Sequence, residues 1–183
     1  SGLETLQRRD TSKGYQGIGQ YQIIGDVSAP IGTGHALGFR REHKIEPRLD
    51  KGAVPSPRTM TLGLDADPRV EEQLPNYIKI VKAEVEDMVK AGASEIQLDA
   101  PAEAMALANG TRHATDLVDS LISPFSGIEG ITRTVHFCLG DISRKPGTEV
   151  QNLVSLIPLF QALDGFIDRA HIECSHAGQW SDR

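Results

Sequence analysis

Cysteine is scarce in this chain of 183 residues, which holds only Cys138 and Cys174. Two cysteines cannot build the multi-bridge framework of a small extracellular scaffold, so a reducing compartment, the cytoplasm, is the expected location. Positive charge is also in deficit, with 19 Lys and Arg against 25 Asp and Glu and a net charge of -6. A sequence-independent grip on nucleic-acid phosphates needs the opposite balance, and nucleic acid is not an expected partner. No run approaches the roughly 18 consecutive apolar residues of a membrane span, and the opening SGLETLQRRD has no apolar stretch of the secretory kind. No membrane partner is expected either. The glycines between Gly14 and Gly19 and the Gly32-Thr33-Gly34 turn match neither phosphate-loop spacing. A nucleophile elbow, a kinase motif set, a fixed-period repeat and a low-complexity tract are all missing.

What is present suffices for one ordinary domain, since 39% of the residues are hydrophobic. The chain opens at Ser1 without a methionine, which leads us to expect a piece of a longer polypeptide. Residues 21–27 predict a short strand. From 28 to 57 the composition shifts to Gly, Pro and charge with no sustained period, which predicts an unusually long loop. Residues 58–64 predict a second strand, and Asp65-Ala66-Asp67-Pro68 supplies turn chemistry and a helix start. The clearest helix follows, with Ile78, Val81, Val85, Met88 and Val89 on one face, Lys79, Lys82, Glu86 and Lys90 on the other, and Gly92 at its end.

Further on, residues 95–98 predict a strand that ends at Asp99-Ala100-Pro101. Two helices are expected within 102–122, broken at Asn109-Gly110 and closed by Pro124. A strand is expected over 131–138, a helix kinked at Pro158 over 149–163, and a last strand over 166–174. Strands alternating with helices at this spacing are the pattern of consecutive βαβ units and a parallel sheet. In such sheets chemistry gathers where the strands exit.

Three exits carry unusual residues: Asp99, the pair His136 and Cys138, and the run Glu173-Cys174-Ser175-His176. His136 and Cys138 are two apart, so in a strand they share a face, where an imidazole nitrogen and a thiolate could hold one zinc ion. The plainer reading is a buried cysteine beside a hydrogen-bonded histidine. Glu173 can add a carboxylate oxygen or pair with Arg169, and it shares its face with His171 and Ser175 while Cys174 points the other way. Asp99 reads either as an acceptor for a substrate ammonium or as a cap for the next helix. Arg112, His35, His43 and His113 have no partner set by spacing and are expected on the solvated surface.

The ordered segments resemble the catalytic barrel of cobalamin-independent methionine synthase. That family joins a helix of the form E-V-x-x-L-x-x-A-G to I-Q-I-D-E-P-A, then to His-x-Cys, then to I-E-x-S-R. Here Glu84-Val85, Met88 and Ala91-Gly92 lead to Ile96-Gln97-Leu98-Asp99-Ala100-Pro101, then to His136-Phe137-Cys138, then to Ile172-Glu173-Cys174-Ser175. The likeness covers about residues 77–176, and Ser1-Gly2-Leu3-Glu4 with Arg8-Arg9 is a blurred form of the family's opening D-G-E and R-R.

The resemblance implies a (β/α)8 TIM barrel within the wider group that includes uroporphyrinogen decarboxylase, incomplete at its first and last strands, because a whole barrel of this kind needs about 250 residues. It implies Zn2+ on His136, Cys138 and Glu173, the family's later cysteine ligand being absent. It also implies substrate binding by Asp99, Glu4 and Ser175, a small-molecule thiol as acceptor, and a methylated folate as methyl donor. Ala100 replaces a family glutamate and His176 a family arginine, which leaves the acceptor's identity open. Two further readings are a metal-free decarboxylase-like barrel and a degenerate relative without activity.

Overall fold

The computed structural model describes residues 1–5, 21–64, 67–142, 145, 146, 148 and 152–174. A short antiparallel pair opens it, β1 (Leu3–Thr5) against β2 (Tyr21–Ile23), with Glu4 opposite Gln22. Helix α1 (His35–Ile45) and strand β3 (Lys51–Pro55) follow, then α2 (Val70–Lys90), β4 (Glu95–Asp99), α3 (Pro101–Ala108), α4 (Val118–Ile122) and β5 (Thr132–Phe137). A small hairpin, β6 (Asp141–Ile142) with β7 (Lys145–Pro146), precedes α5 (Ile157–Leu163) and β8 (Arg169–Ile172).

The central sheet runs β3-β4-β5-β8 and every pair in it is parallel. Mixed α/β architecture with a parallel sheet is therefore present, as part of a TIM-like barrel would have it. Among the described residues the sheet does not close.

Alternation divides this sheet sharply. Val54, Ile96, Leu98, Val135 and Phe137 point into the helix layer and are buried with Val81, Val85, Met88, Leu121 and Leu159. Gly52 lies where a Cβ would stand 2.6 Å from Met88 Sδ, so the missing side chain lets α2 pack close to β3. The other face carries Lys51, Glu95, Gln97, Asp99, Thr134, His136, Arg169 and His171, because these are the alternate residues of the same strands. A smaller apolar cluster of Ile23, Val27, Leu64, Val70 and Tyr77 fixes the β1–β2 pair near the start of α2.

Helix ends show why the local sequence folds as it does. In α2 the predicted face is buried at Val81, Val85 and Met88 with Val89 packed against it, while Ile78 is only half-buried and outside both apolar clusters; Gly92, at φ 108°, lets the Ala93 amide turn back to Met88 O at 3.0 Å. Helix α1 has no side-chain cap of its own. Instead the Glu84 carboxylate, from α2, accepts the amides of Thr33, of Gly34 at 3.3 Å and of Ala36 at 2.7 Å. The family-like Glu84 is thus a cap supplied to one helix by another.

Several sequence expectations need correction. The strand expected at 58–64 is a 3₁₀ turn, Thr59–Thr61, and the strand lies earlier at Lys51–Pro55, where Gly52 and Pro55 hide the β signal. The loop expected over 28–57 holds that strand and the whole of α1. The second helix of 111–122 shortens to a 3₁₀ turn at Ala114–Asp116 and α4, and Pro124 sits inside another 3₁₀ turn. Pro158 occupies the first turn of α5, where a missing amide costs nothing, and does not kink a longer helix. Residues 149–151 of that expected helix lie outside the described residues.

Candidate functional site

Parallel pairing brings the strand exits together in the order the sequence implied. Pro55 stands opposite Asp99, Asp99 opposite His136, and His136 opposite His171. Backbone bonds continue past the strands: Ser56 N–H donates to Asp99 O at 2.8 Å, Ala100 N–H to His136 O at 2.9 Å, and Glu173 N–H to Phe137 O at 3.0 Å. Four adjacent exits are therefore fastened to one another by the backbone. Asp99, His136, Cys138 and Glu173 gather at this one mouth.

Electrostatics ties three of these groups together. Burial pushes the Cys138 thiol above its ordinary pKa; a hydrogen bond from the Gly140 amide works against that, and the carboxylates of Glu173 and Asp99 add to it. Both carboxylates thus lie close enough to be felt at the sulfur. Asp99 Oδ1 accepts the Gln97 side-chain amide at 2.7 Å, and the cap position of α3 is Ala100 with no side-chain cap bond. The cap role considered for Asp99 is not the one it has. Arg169 pairs with Glu95.

Among the described residues no three His, Cys, Asp or Glu side chains converge tightly enough to hold a metal ion as they stand. Cys174 is exposed and directs its thiol to Ile172 O at 3.3 Å. Ser175 and His176 lie outside the described residues. Glu4 is exposed in the β1–β2 pair, where it accepts the Gln22 side-chain amide at 2.7 Å.

Below the mouth the same face is a continuous polar network. Lys51 Nζ lies 3.0 Å from Glu95 Oε1 and 3.0 Å from His171 Nδ1. Thr134 donates to Glu95 Oε1 at 2.8 Å, Arg169 pairs with the other oxygen of Glu95, and Gln97 Oε1 lies 2.8 Å from His171 Nδ1. Burial of Glu95 works against its ionisation, but Thr134, Lys51 and Arg169 outweigh that and hold its carboxyl below the ordinary value. His171 is held below the usual imidazole range by desolvation and by Lys51. The bonds run from this floor through Gln97 to Asp99, so the mouth aspartate is positioned by the network beneath it.

Sequence reasoning did not single out Glu103. It is fully buried on α3, with Ser56 Oγ at 2.8 Å from one oxygen and Ser120 Oγ at 3.1 Å from the other. Burial pushes its pKa up, and the hydroxyls of Ser56 and Ser120 with Arg58 offset only part of that. Ser120 has one hydroxyl proton and a nearer acceptor, Leu117 O at 2.7 Å. The place of Glu103, linking the β3 exit to α3 and α4, is tertiary and left no periodic signal.

The surface assignments divide. His113 is exposed, but His43 stacks on Phe39 and lies 2.6 Å from Leu49 O, His35 Nδ1 lies 2.8 Å from Thr33 Oγ1, and Arg112 joins Arg58 on Glu71. No helix among the described residues is long and apolar enough to cross a membrane.

No protein-family model and no curated protein matches the chain. Solved structures do. One is a B12-independent methionine synthase from Shewanella sp. W3-18-1, solved with selenomethionine, at a TM-score of 0.73 and 22% identity. The match covers 97% of this chain and 53% of that one, so this chain spans about half the length of the protein it matches. At that identity the likeness shows a shared fold.

Proposed function

We propose that the chain carries the substrate mouth of a zinc-dependent methyl or alkyl transferase acting on a thiol, with His136, Cys138 and Glu173 as metal ligands. One observation carries the reading: three neighbouring parallel strands deliver an imidazole, a thiol and two carboxylates to the same mouth. Nitrogen, sulfur and oxygen donors together suit zinc with an open position. Two carboxylates beside a half-buried thiol also make a field that opposes the thiolate alone and favours a bound cation. The donor chemistry therefore fits zinc, although the three side chains are not drawn together as a finished shell. What zinc would supply is a lowered pKa for a substrate thiol at neutral pH.

The chain's own residues do the rest. Asp99 is held by Gln97 through one oxygen, and its other oxygen takes no hydrogen bond among the described residues, which leaves that oxygen available to accept from a substrate ammonium. The fastened exits fix the distance between that aspartate and the thiol site, which is the positional part of catalysis. Ser175 is proposed as a substrate contact by its place after Glu173, and Glu4 by its place in the family-like opening. A methylated folate is the proposed donor. The unassembled donor set favours, as second reading, a metal-free barrel of the decarboxylase kind.

Metal content of the purified protein separates the two. About one zinc per chain by plasma mass spectrometry, lost in His136→Ala and in Cys138→Ser with circular dichroism unchanged, supports the transferase reading. Equal metal content in wild type and both variants, whether high or nil, removes the site.

A further inference from the structure

One nitrogen on the polar face stands between two groups that need opposite things of it. His171 Nδ1 lies 3.0 Å from Lys51 Nζ and 2.8 Å from Gln97 Oε1. An ammonium only donates and an amide oxygen only accepts, so Nδ1 must carry a proton to bond Gln97 and must lack one to bond Lys51. No single tautomer of the ring makes both bonds.

The choice between them is made two residues along β4, at Asp99. Its Oδ1 lies 2.7 Å from Gln97 Nε2. An ionised carboxylate can only accept, so Gln97 presents its NH2 group there, and a turned amide would set two oxygens against each other at that distance. An amide that gives its N–H to Asp99 has only its oxygen left for His171. Lys51 has another outlet, because its ammonium also lies 3.0 Å from Glu95 Oε1 and its flexible stem lets the protons turn that way. Gln97, engaged at both ends, has no such freedom.

We propose that Gln97 is a positioning residue that ties Asp99 to the tautomer of His171: with Asp99 ionised, neutral His171 carries its proton on Nδ1 and keeps Nε2 as an acceptor. The bond that orients the aspartate thereby also sets what the histidine can do. Among the described residues no hydrogen bond reaches His171 Nε2 or the second oxygen of Asp99. The polar face then offers two acceptors held by one amide, which suits a ligand rich in N–H donors such as a primary ammonium. The identity of that ligand rests on the proposed function, whereas the tautomer rests on the contacts of Gln97 alone.

Long-range proton–nitrogen correlation spectra of the isotope-labelled full chain read the tautomer directly, in chelator-treated protein at about pH 8, where ordinary imidazoles are neutral. The His171 pattern is identified by its loss in His171→Gln. The expected wild-type result is a protonated, pyrrole-type Nδ1 and an unprotonated, pyridine-type Nε2. Gln97→Leu should reverse the pattern, because Lys51 is then the remaining partner of Nδ1, and Lys51→Met should leave the wild-type pattern in place. A wild-type ring protonated on Nε2 overturns the proposal without recourse to any variant. An Nδ1 proton that survives in folded Gln97→Leu overturns it too, as does a pattern that reverses in Lys51→Met. The sample holds neither metal nor substrate, so a failed tautomer leaves the zinc count standing, and a failed zinc count leaves the tautomer standing.

Discussion

The two faces of the central sheet come from alternate residues of the same four strands and have opposite characters. Toward the helices, Val54, Ile96, Leu98, Val135 and Phe137 are buried in one apolar cluster. Toward the other side, Lys51, Glu95, Thr134, Arg169, His171, Gln97 and Asp99 form a chain of ion pairs and hydrogen bonds. The difference teaches where stability and chemistry reside. Burial of apolar area stabilises through every methylene, whereas a charged network roughly offsets its own desolvation and contributes position more than free energy.

The sharpest way to break that contrast is to cut one residue from each face of β5. Phe137 is almost fully buried and meets the Phe160 ring edge-on at 5.2 Å. Phe137→Ala should cost about 3–5 kcal/mol, read from the urea midpoint at constant slope. Thr134→Val removes one hydrogen bond to Glu95 and keeps the shape, and about 1–2 kcal/mol is expected. Equal costs for the two would show that the polar face supports the fold as much as the core does.

Next in size is a pair of buried glutamates whose carboxyl pKa values are shifted in opposite directions. Burial alone would raise the Glu84 carboxyl, but the amides of Ala36, Thr33 and Gly34 outweigh it and hold its pKa below the ordinary value. Its folded value is depressed, so its contribution is present above the unfolded pKa of about 4.3 and fades as pH falls through the lower folded value. Glu103 is raised, chiefly by burial. Its contribution is present below about pH 4.3 and is lost as pH rises through the folded value. Glu84→Gln should therefore cost about 1–3 kcal/mol at neutral pH and less in acid. Glu103→Gln, measured against wild type, should become progressively more favourable above pH 4.3 and level off once pH exceeds the raised folded pKa. Parallel pH profiles for the two variants would refute the opposite directions of shift.

How much of this was legible in the sequence follows from the range of each interaction. The helix face of α2 and strands β4 and β5 repeat every 3.6 or 2 residues, so the chain itself spells them out. The mouth was legible for a related reason: His136 and Cys138 stand two apart, and parallel register carries Asp99 and Glu173 alongside. Strand β3 was hidden because Gly52 is there for the closeness of Met88 and not for β propensity. Glu84 and Glu103 were hard to read because their partners stand 17 to 51 residues away, as in the Ser120, Ser56 and Thr33 bonds. No local pattern records such a pairing. The polar floor was missed for the same cause, since Lys51 and His171 meet across 120 residues.

The smallest stability effect should come from Asp99, the residue proposed to take the substrate ammonium. Asp99→Asn keeps the shape and an oxygen for Gln97, and within about 0.5 kcal/mol no change in stability is expected. What should change is the sulfur. Asp99 is one of two carboxylates that raise the Cys138 thiol, so its neutralisation removes a negative charge and lowers that pKa. The measurement is the pH dependence of iodoacetamide alkylation in chelator-treated protein, in a Cys174→Ser background so that one thiol is followed. A midpoint that moves down in Asp99→Asn, with the urea curve unmoved, places Asp99 in the field of the mouth and outside the scaffold. An unmoved midpoint would separate the aspartate from the thiol, and the polar face would then be two sites that share a sheet and not one.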